Sequence, residues 1–198
     1  AAKDFSVALI YENSKKPCGG LLSEDAQKYF AERNIAIPKD LLVSPQTFAV
    51  DTLDLSQDLF CRYQRSYINV DRKKFDGWLR DFVSHNAVKI EGHATEIKKT
   101  DDGFIVNYKE NGEEKSVFSK YIVGADGANS LVRRTFFPNK KIRSYVSIQQ
   151  SFDRVENAPY YACVFDKDST ECCAWIIQKD NETIFGGAFE KKHCRESF

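Results

Sequence analysis

Gly124-Ala125-Asp126-Gly127 sets a carboxylate inside a glycine-bounded turn, a spacing that suits recognition of a hydroxyl-rich ligand. The glycines let a ligand approach the backbone closely. A carboxylate does not favour a phosphate, but it accepts hydrogen bonds from sugar or polyol hydroxyls. The apolar run Tyr121-Ile122-Val123 before the turn predicts a buried strand, and Asn129-Ser130 followed by Leu131 and Val132 predicts a helix start. Strand, glycine turn and helix N-terminus together face backbone N–H groups toward a ligand. A plain strand–turn–helix connection fits so short a motif equally well.

Four further places carry chemistry-bearing residues. Glu12 ends the apolar run Phe5 to Tyr11, which reads as a buried parallel strand. In dinucleotide-binding folds an acid at such a strand end holds the adenosine ribose, roughly 20 residues after a G-x-G-x-x-G. Only eleven residues precede Glu12, so that fingerprint is not in this sequence, and a solvated strand-end acid is the alternative. Cys18-Gly19-Gly20-Leu21 forms a loop before a helix, where paired glycines can let a flat ligand lie against the backbone. A linker with a free thiol reads equally well from it. Arg72 follows the candidate N-cap Asp71, in a first turn where a cation opposes the helix dipole. That placement suits service to a ligand, with a surface arginine as the alternative. Trp175 lies in a strand preceding Gly186-Gly187, a pair that predicts a bulge or a close backbone approach. Trp175 itself reads as a core residue or as a ligand-facing aromatic.

The elements that must position these residues follow from periodicity. A helix is predicted from Ser23 and Asp25 to about Asn34, and an amphipathic one over 71–83 with Phe75, Trp78, Leu79, Phe82 and Val83 inward. Strands are predicted at Thr47–Leu53 and Leu59–Tyr63, as a hairpin or meander, and at Tyr67–Val70 and Ala87–Glu91. A meander follows over His93–Ile97, Gly103–Tyr108 and Lys115–Ser119, turned by Asp101-Asp102-Gly103 and Asn111-Gly112. After Pro138, strands at Ser144–Phe152, Tyr160–Phe165, Glu171–Gln178 and Glu182–Phe189 run without a helix between them, which predicts a separate antiparallel sheet. The fold class is therefore α/β, an α+β mixture. Residues 1–140 form one part, with strands near 45–65 assignable to the other, and 141–198 form the antiparallel part.

Composition removes several function classes. The 198 residues carry 29 basic and 29 acidic side chains, a formal net charge of zero. That balance argues against electrostatic capture of nucleic acid or an anionic membrane. No apolar run approaches the roughly 20 residues of a membrane span, and no signal peptide is visible. Six cysteines lack any CxxC spacing and three histidines, at 85, 93 and 193, are scattered, so no metal site is predicted. A reduced, cytoplasmic protein is the simplest reading. With no methionine and an opening at Ala1-Ala2-Lys3, either the start was removed or the chain is an internal piece.

Strand-Glu, Cys-Gly-Gly loop, arginine-led helix, meander and Gly-Ala-Asp-Gly occur here in the order that resembles the FAD domain of the glutathione-reductase type, in the aromatic-hydroxylase branch. More narrowly the chain resembles the geranylgeranyl reductase family. The carriers are Lys16-Pro17-Cys18-Gly19-Gly20-Leu21-Leu22, Asn69 to Asp76, Val123 to Ser130, and Trp175 through Gly187. The resemblance implies a partial three-layer FAD/NAD(P)-binding domain with part of an antiparallel substrate domain. It implies Glu12 on the adenosine ribose, the Ala94 backbone on adenine, and Cys18, Gly19, Gly20 and Leu21 along the flavin. It further implies Arg72 near the phosphate or ribityl region, and Asp126 with Gly124 and Gly127 near the ribityl and pyrophosphate portion. The family's Tyr-x-Trp-x-Phe-Pro segment and following Gly-x-Gly line a lipid pocket. Here these positions read Cys173-Ala174-Trp175-Ile176-Ile177-Gln178 and Gly186-Gly187-Ala188, so other apolar substrates stand beside an isoprenoid.

The activity implied is reduction of C=C bonds by hydride from reduced flavin, with Cys18 as auxiliary proton donor and NAD(P)H or ferredoxin as electron donor. Peripheral membrane contact in the full protein goes with a lipid substrate. A flavin monooxygenase or halogenase on the same domain is the alternative, and a non-catalytic fragment is the third reading. The family's N-terminal glycine-rich loop and C-terminal Gly-Asp segment are not in this sequence, which predicts weak FAD binding, or none, by this piece alone.

Overall fold

A computed structural model of the chain describes residues 5–13, 18–83, 86–153, 158–192 and 194–198. Lys16 and Pro17 of the cysteine–glycine motif, and the histidines at 85 and 193, lie outside the described residues. The first strands are β1 Ala8–Tyr11, β2 Leu21–Leu22, β3 Thr47–Asp54 and β4 Leu59–Asn69. They are followed by β5 Val88–Glu91, β6 His93–Lys99, β7 Phe104–Glu110 and β8 Glu113–Ser119. The last four are β9 Tyr145–Asp153, β10 Tyr160–Phe165, β11 Cys173–Lys179 and β12 Glu182–Glu190. Helices are few: α1 Glu24–Ala31, α2 Arg72–Asp81, α3 Leu131–Phe136 and α4 Cys194–Ser197. The fold is mixed α/β, as the hydrophobic periodicity predicts. It divides into two compact units, Ala1–Lys15 with Arg80–Arg143, and Lys16–Leu79 with Ser144–Phe198.

In the first unit β1 pairs in parallel with β5, bringing Ile10 opposite the buried Ile90. The run predicts a buried strand, but Ala8 is exposed and Leu9, Ile10 and Tyr11 are only half-buried. The meander β6-β7-β8 is antiparallel throughout, with Ile97 and Tyr108 buried. Asn111 and Gly112 turn its second hairpin with φ of 53° and 86°. Two positive φ values are what a tight two-residue hairpin turn demands, and Asn-Gly supplies them at low cost. Phe136 of α3 packs edge-on against Phe104, with ring centroids 5.5 Å apart.

One expected element does not form. Tyr121-Ile122-Val123 is not a strand, and Tyr121 and Val123 are 78% and 89% exposed. An apolar run becomes a strand only when a neighbour takes its backbone N–H and C=O groups. None of the described strands pairs with it. The helix expected next does form, with Ser130 as its N-cap: the Ser130 hydroxyl accepts the Arg133 N–H at 3.0 Å.

The second unit is a seven-stranded sheet ordered β2-β4-β3-β10-β11-β12-β9. The four antiparallel strands expected after Pro138 are all present, but they do not form a separate sheet. Strand β10 runs parallel to β3 from Tyr160↔Ala49 to Phe165↔Asp54. Strand β4 also runs unbroken to Asn69, uniting two segments whose alternation read as separate strands. Gly186-Gly187 makes no bulge: β12 keeps regular register with β11 and with β9. Beside the sheet Leu41, Val70 and Phe75 form a buried cluster with Phe30 of α1 and Trp78 of α2 packed on it. Asp71 caps α2 as predicted, its Oδ1 accepting the Lys73 and Lys74 N–H groups at 2.9 and 3.1 Å.

Candidate functional site

In the first unit Glu12 stands just beyond the C-terminal end of β1, where its parallel neighbour β5 also ends. Gly92 turns the chain from β5 into β6 and donates its N–H to the Tyr11 carbonyl at 2.9 Å. A Cβ at Gly92 would lie 2.6 Å from the Lys109 carbonyl oxygen, so only glycine permits this close approach. The turn delivers His93, whose Nδ1 lies 2.5 Å from Glu12 Oε1. Asn13 accepts from Arg80 Nη2 at 3.2 Å. Glu12, Asn13, Gly92, His93, Lys109 and Asn111 line an open cleft of about 420 Å³. Ala94, the residue expected at adenine, follows His93 on β6 and lies opposite Tyr108, just before a shift in the β6–β7 register.

Asp126 of the Gly-Ala-Asp-Gly turn is occupied with its own helix. Its Oδ2 accepts the Leu131 N–H at 2.6 Å and the Val132 N–H at 3.3 Å. Partial burial opposes ionisation, but the hydrogen bonds from Ser130 and from these backbone N–H groups hold the carboxyl below its ordinary range. Gly127 takes φ of 74°, and the space beside Gly124 is filled by the Val132 side chain. The turn acid thus caps the start of α3 together with Ser130.

The second unit holds the other group of expected site residues. Arg72 donates through Nη1 to Cys18 Sγ at 2.9 Å, and through Nε and Nη2 to Asp76 at 3.1 and 3.2 Å. Asp76, one turn along α2, answers the unfavourable placement of a cation at the helix start. Leu21 enters β2 opposite Asn69. The glycine gaps at 19 and 20 are filled on one side by the protein itself. A Cβ at Gly19 would meet Ile177 Cδ1, and one at Gly20 would meet the Val70 carbonyl oxygen and Lys179 Nζ.

Lys179 is the residue that sequence reasoning missed. Its Nζ donates to Gly19 O at 2.8 Å, Asn69 Oδ1 at 2.8 Å and Val70 O at 2.6 Å. Burial pushes its ammonium down to about 8. The only local signal is a lysine closing an apolar strand before Asp180-Asn181, and that reads as an ordinary solvated strand end. Cys18, Arg72, Gln149, Ser151, Lys179 and Ile184 line a cleft of about 500 Å³.

Trp175 and Gly186 are directly opposite on β11 and β12, and a Cβ at Gly186 would lie 2.5 Å from Trp175 Nε1. The indole N–H is buried and has no hydrogen-bond partner among the described residues. Successive strand residues point to opposite faces, so Gly187 lies on the other face. There the space a side chain would take is filled by the Phe189 ring. The expected substrate positions are therefore divided, with Trp175 and Gly186 on one face and Gly187 on the other.

The Glu12 cleft is a polar, hydrogen-bonding one. It combines a carboxylate at the end of a parallel strand, a partner imidazole, two asparagines and a glycine turn. Those are acceptors and donors for ribose hydroxyls and a base edge. Among the described residues no helix is long and apolar enough to cross a membrane, and no cluster of three or more His, Cys, Asp or Glu side chains could hold a metal ion.

The protein CbrA of Escherichia coli strain K12 is 42% identical over 188 residues, covering 94% of this chain and 53% of CbrA. The chain thus spans about half the length of the curated relatives it matches. Among solved structures, a geranylgeranyl bacteriochlorophyll reductase-like protein from Thermoplasma acidophilum superposes with a TM-score of 0.74 at 16% identity, covering 96% of this chain and 52% of that one. The flavin-dependent brominase Bmp2 superposes with a TM-score of 0.69 at 19% identity, covering 96% and 51%. At such identities the two likenesses show the shared fold, not a shared reaction. The model of the FAD binding domain family matches residues 65–195, more than half of the 198 residues; the chain belongs to that family, and its cofactor is FAD.

Proposed function

We propose that the full-length protein is an FAD-dependent oxidoreductase that reduces a C=C bond of an isoprenoid or other apolar substrate. The observation that carries this reading is the Cys18 thiol, held by Arg72 at 2.9 Å in a cleft of the unit whose sheet carries Trp175. Bound and reduced, the flavin supplies a hydride to one alkene carbon. The other carbon needs a proton, and in this reading Cys18 delivers it while the Arg72 guanidinium steadies the thiolate left behind. The Trp175 indole and Gly186 offer the substrate an apolar floor. In this reading the first unit offers Glu12 and the Ala94 backbone to the adenosine and the Gly124-Ala125-Asp126-Gly127 turn, whose carboxylate also caps α3, to the ribityl and pyrophosphate portion, and the second unit offers the Cys18–Leu21 loop to the flavin. NAD(P)H or ferredoxin is the electron donor, and the six free thiols suit a reducing, cytoplasmic setting.

The test is anaerobic. Full-length protein reduced with dithionite is mixed with isoprenoid alcohols, and absorbance near about 450 nm is followed. Reoxidation without oxygen, with a product heavier by two hydrogens and slowed by Cys18→Ser, is the expected result. Turnover that requires oxygen and adds oxygen or halogen to the substrate would assign the monooxygenase or halogenase chemistry instead.

The adenosine assignment is tested separately. Glu12→Gln keeps the shape of the side chain but gives up charge-assisted acceptance from ribose hydroxyls and from His93. FAD affinity of the full-length protein, titrated by flavin fluorescence, is expected to fall about tenfold, or about 1.4 kcal/mol. Unchanged affinity would remove Glu12 from the site.

A further inference from the structure

We propose that His93 is a positioning residue of the cofactor site, its imidazole holding the Glu12 carboxylate in the orientation that receives the adenosine ribose. This role rests on the assignment of Glu12 to that ribose. Nδ1 of His93 lies 2.5 Å from Glu12 Oε1, and both side chains line the cleft of about 420 Å³. A bond from a ring nitrogen to a carboxylate needs the proton on Nδ1. Oε1 accepts it, which leaves Oε2 and the second lone pair of Oε1 for the two ribose hydroxyls.

The backbones that carry the two residues are already fixed. Tyr11 stands opposite Glu91 in the parallel β1–β5 pair, and its carbonyl accepts the Gly92 N–H at 2.9 Å. His93 stands opposite Lys109 at the start of β6, next to the close approach of Gly92 to the Lys109 carbonyl. What remains free is the Glu12 side chain, whose torsions each have several low-energy settings. Two cations of this unit are engaged elsewhere. Lys109 pairs with Glu114 at 3.6 Å. Arg80 donates to Asn13 at 3.2 Å, and its guanidinium lies over the Tyr11 ring, 5.1 Å from the centroid. The imidazole is the group that fixes the carboxylate.

The side chains of Glu12 and His93 are 55% and 65% exposed. A pair so open to water contributes little to folding stability. Its effect falls on binding instead. A carboxylate that is already ordered in the free protein loses little freedom when the ribose arrives, whereas an unrestrained glutamate must be ordered at that moment.

The experiment is a double-mutant cycle on the full-length protein, with FAD affinity titrated by flavin fluorescence and unfolding followed in urea. His93→Ala is expected to weaken FAD binding about fivefold, the scale of ordering one flexible side chain, and to leave the urea midpoint unchanged. His93→Asn, whose side-chain amide can place an N–H where Nδ1 lies, should recover most of the affinity. Added to Glu12→Gln, His93→Ala should cost little beyond Glu12→Gln alone, because the imidazole acts through the carboxylate. Wild-type affinity in His93→Ala, beside a weakened Glu12→Gln, would overturn the positioning role and leave Glu12 on the ribose. Losses that simply add in the double variant would also overturn it, since His93 would then meet the cofactor on its own account. Unchanged affinity in Glu12→Gln would remove the ribose assignment itself, and the positioning role with it.

Discussion

Replacing Lys179 by Met is expected to destabilise the sheet-bearing unit by about 3 kcal/mol. Met keeps most of the side-chain volume but removes the donor shared by Gly19 O, Asn69 Oδ1 and Val70 O. Asn69 and Val70 are fully buried, so two of the three acceptors cannot turn to water. A buried acceptor left without a donor costs about 1–3 kcal/mol. Losing an ammonium that burial already disfavours returns part of that cost, which keeps the net effect below the sum of three orphaned groups. Both tryptophans, Trp78 and Trp175, belong to this unit, so urea unfolding read by tryptophan fluorescence reports on it. A midpoint within error of the wild type would show that Lys179 carries none of this burden.

The pH dependence has a definite sign. The folded Lys179 ammonium sits near 8, below its ordinary value of 10.5. Between those two values the unfolded chain holds a proton that the folded chain has released. Folding is then favoured by raising the pH, because stability rises wherever the unfolded state binds more protons. The penalty for burying the charge is present in full below 8 and is relieved as pH climbs toward 10.5. The stability gap between wild type and Lys179→Met should therefore widen over that window. A gap that narrows would mean that the buried ammonium is the preferred form.

That network also marks the boundary of what the sequence made legible. Asp71 capping α2, the Asn111-Gly112 hairpin and the strands β9 to β12 could all be read locally. Each rests on partners a few residues away or on a simple alternation. Lys179 bonds Gly19 across 160 residues and Asn69 across 110. The parallel β3–β10 pair is equally remote, and it joins strands that each read as part of an antiparallel arrangement. Tyr121-Ile122-Val123 failed for the converse reason, since apolar residues alone do not supply a hydrogen-bonding neighbour. At the candidate site, residue types were legible and their attachments were not. Arg72 was flagged by a helix position that disfavours it, yet Cys18 and Asp76 as its partners, and His93 as the partner of Glu12, emerge only from the fold.

Gly20→Ala is expected to be more damaging still, at about 4 kcal/mol, and far more so than Gly19→Ala beside it. The two glycines look equivalent in sequence, and a ligand-facing loop could want both. Their surroundings differ. Gly20 has φ of 68°, where an L side chain costs about 1–2 kcal/mol. Its new Cβ would lie 2.3 Å from the Val70 carbonyl oxygen and 2.7 Å from Lys179 Nζ. Val70 cannot retreat, because its N–H bonds the Gly20 carbonyl at 2.9 Å and its carbonyl receives Lys179. The loop must lift instead, breaking the Val70–Gly20 bond and the Lys179–Gly19 bond, each worth about 1–1.5 kcal/mol. At Gly19 the new Cβ meets, among the described residues, the Ile177 side chain, whose free end at Cδ1 can change rotamer at about 1 kcal/mol. If the two alanine variants unfold at the same urea concentration, the loop is not fastened to Val70 and Lys179. If only Gly20→Ala is crippled, the glycine pair serves the protein's own packing first, and any flavin that lies along this loop meets a surface already fixed.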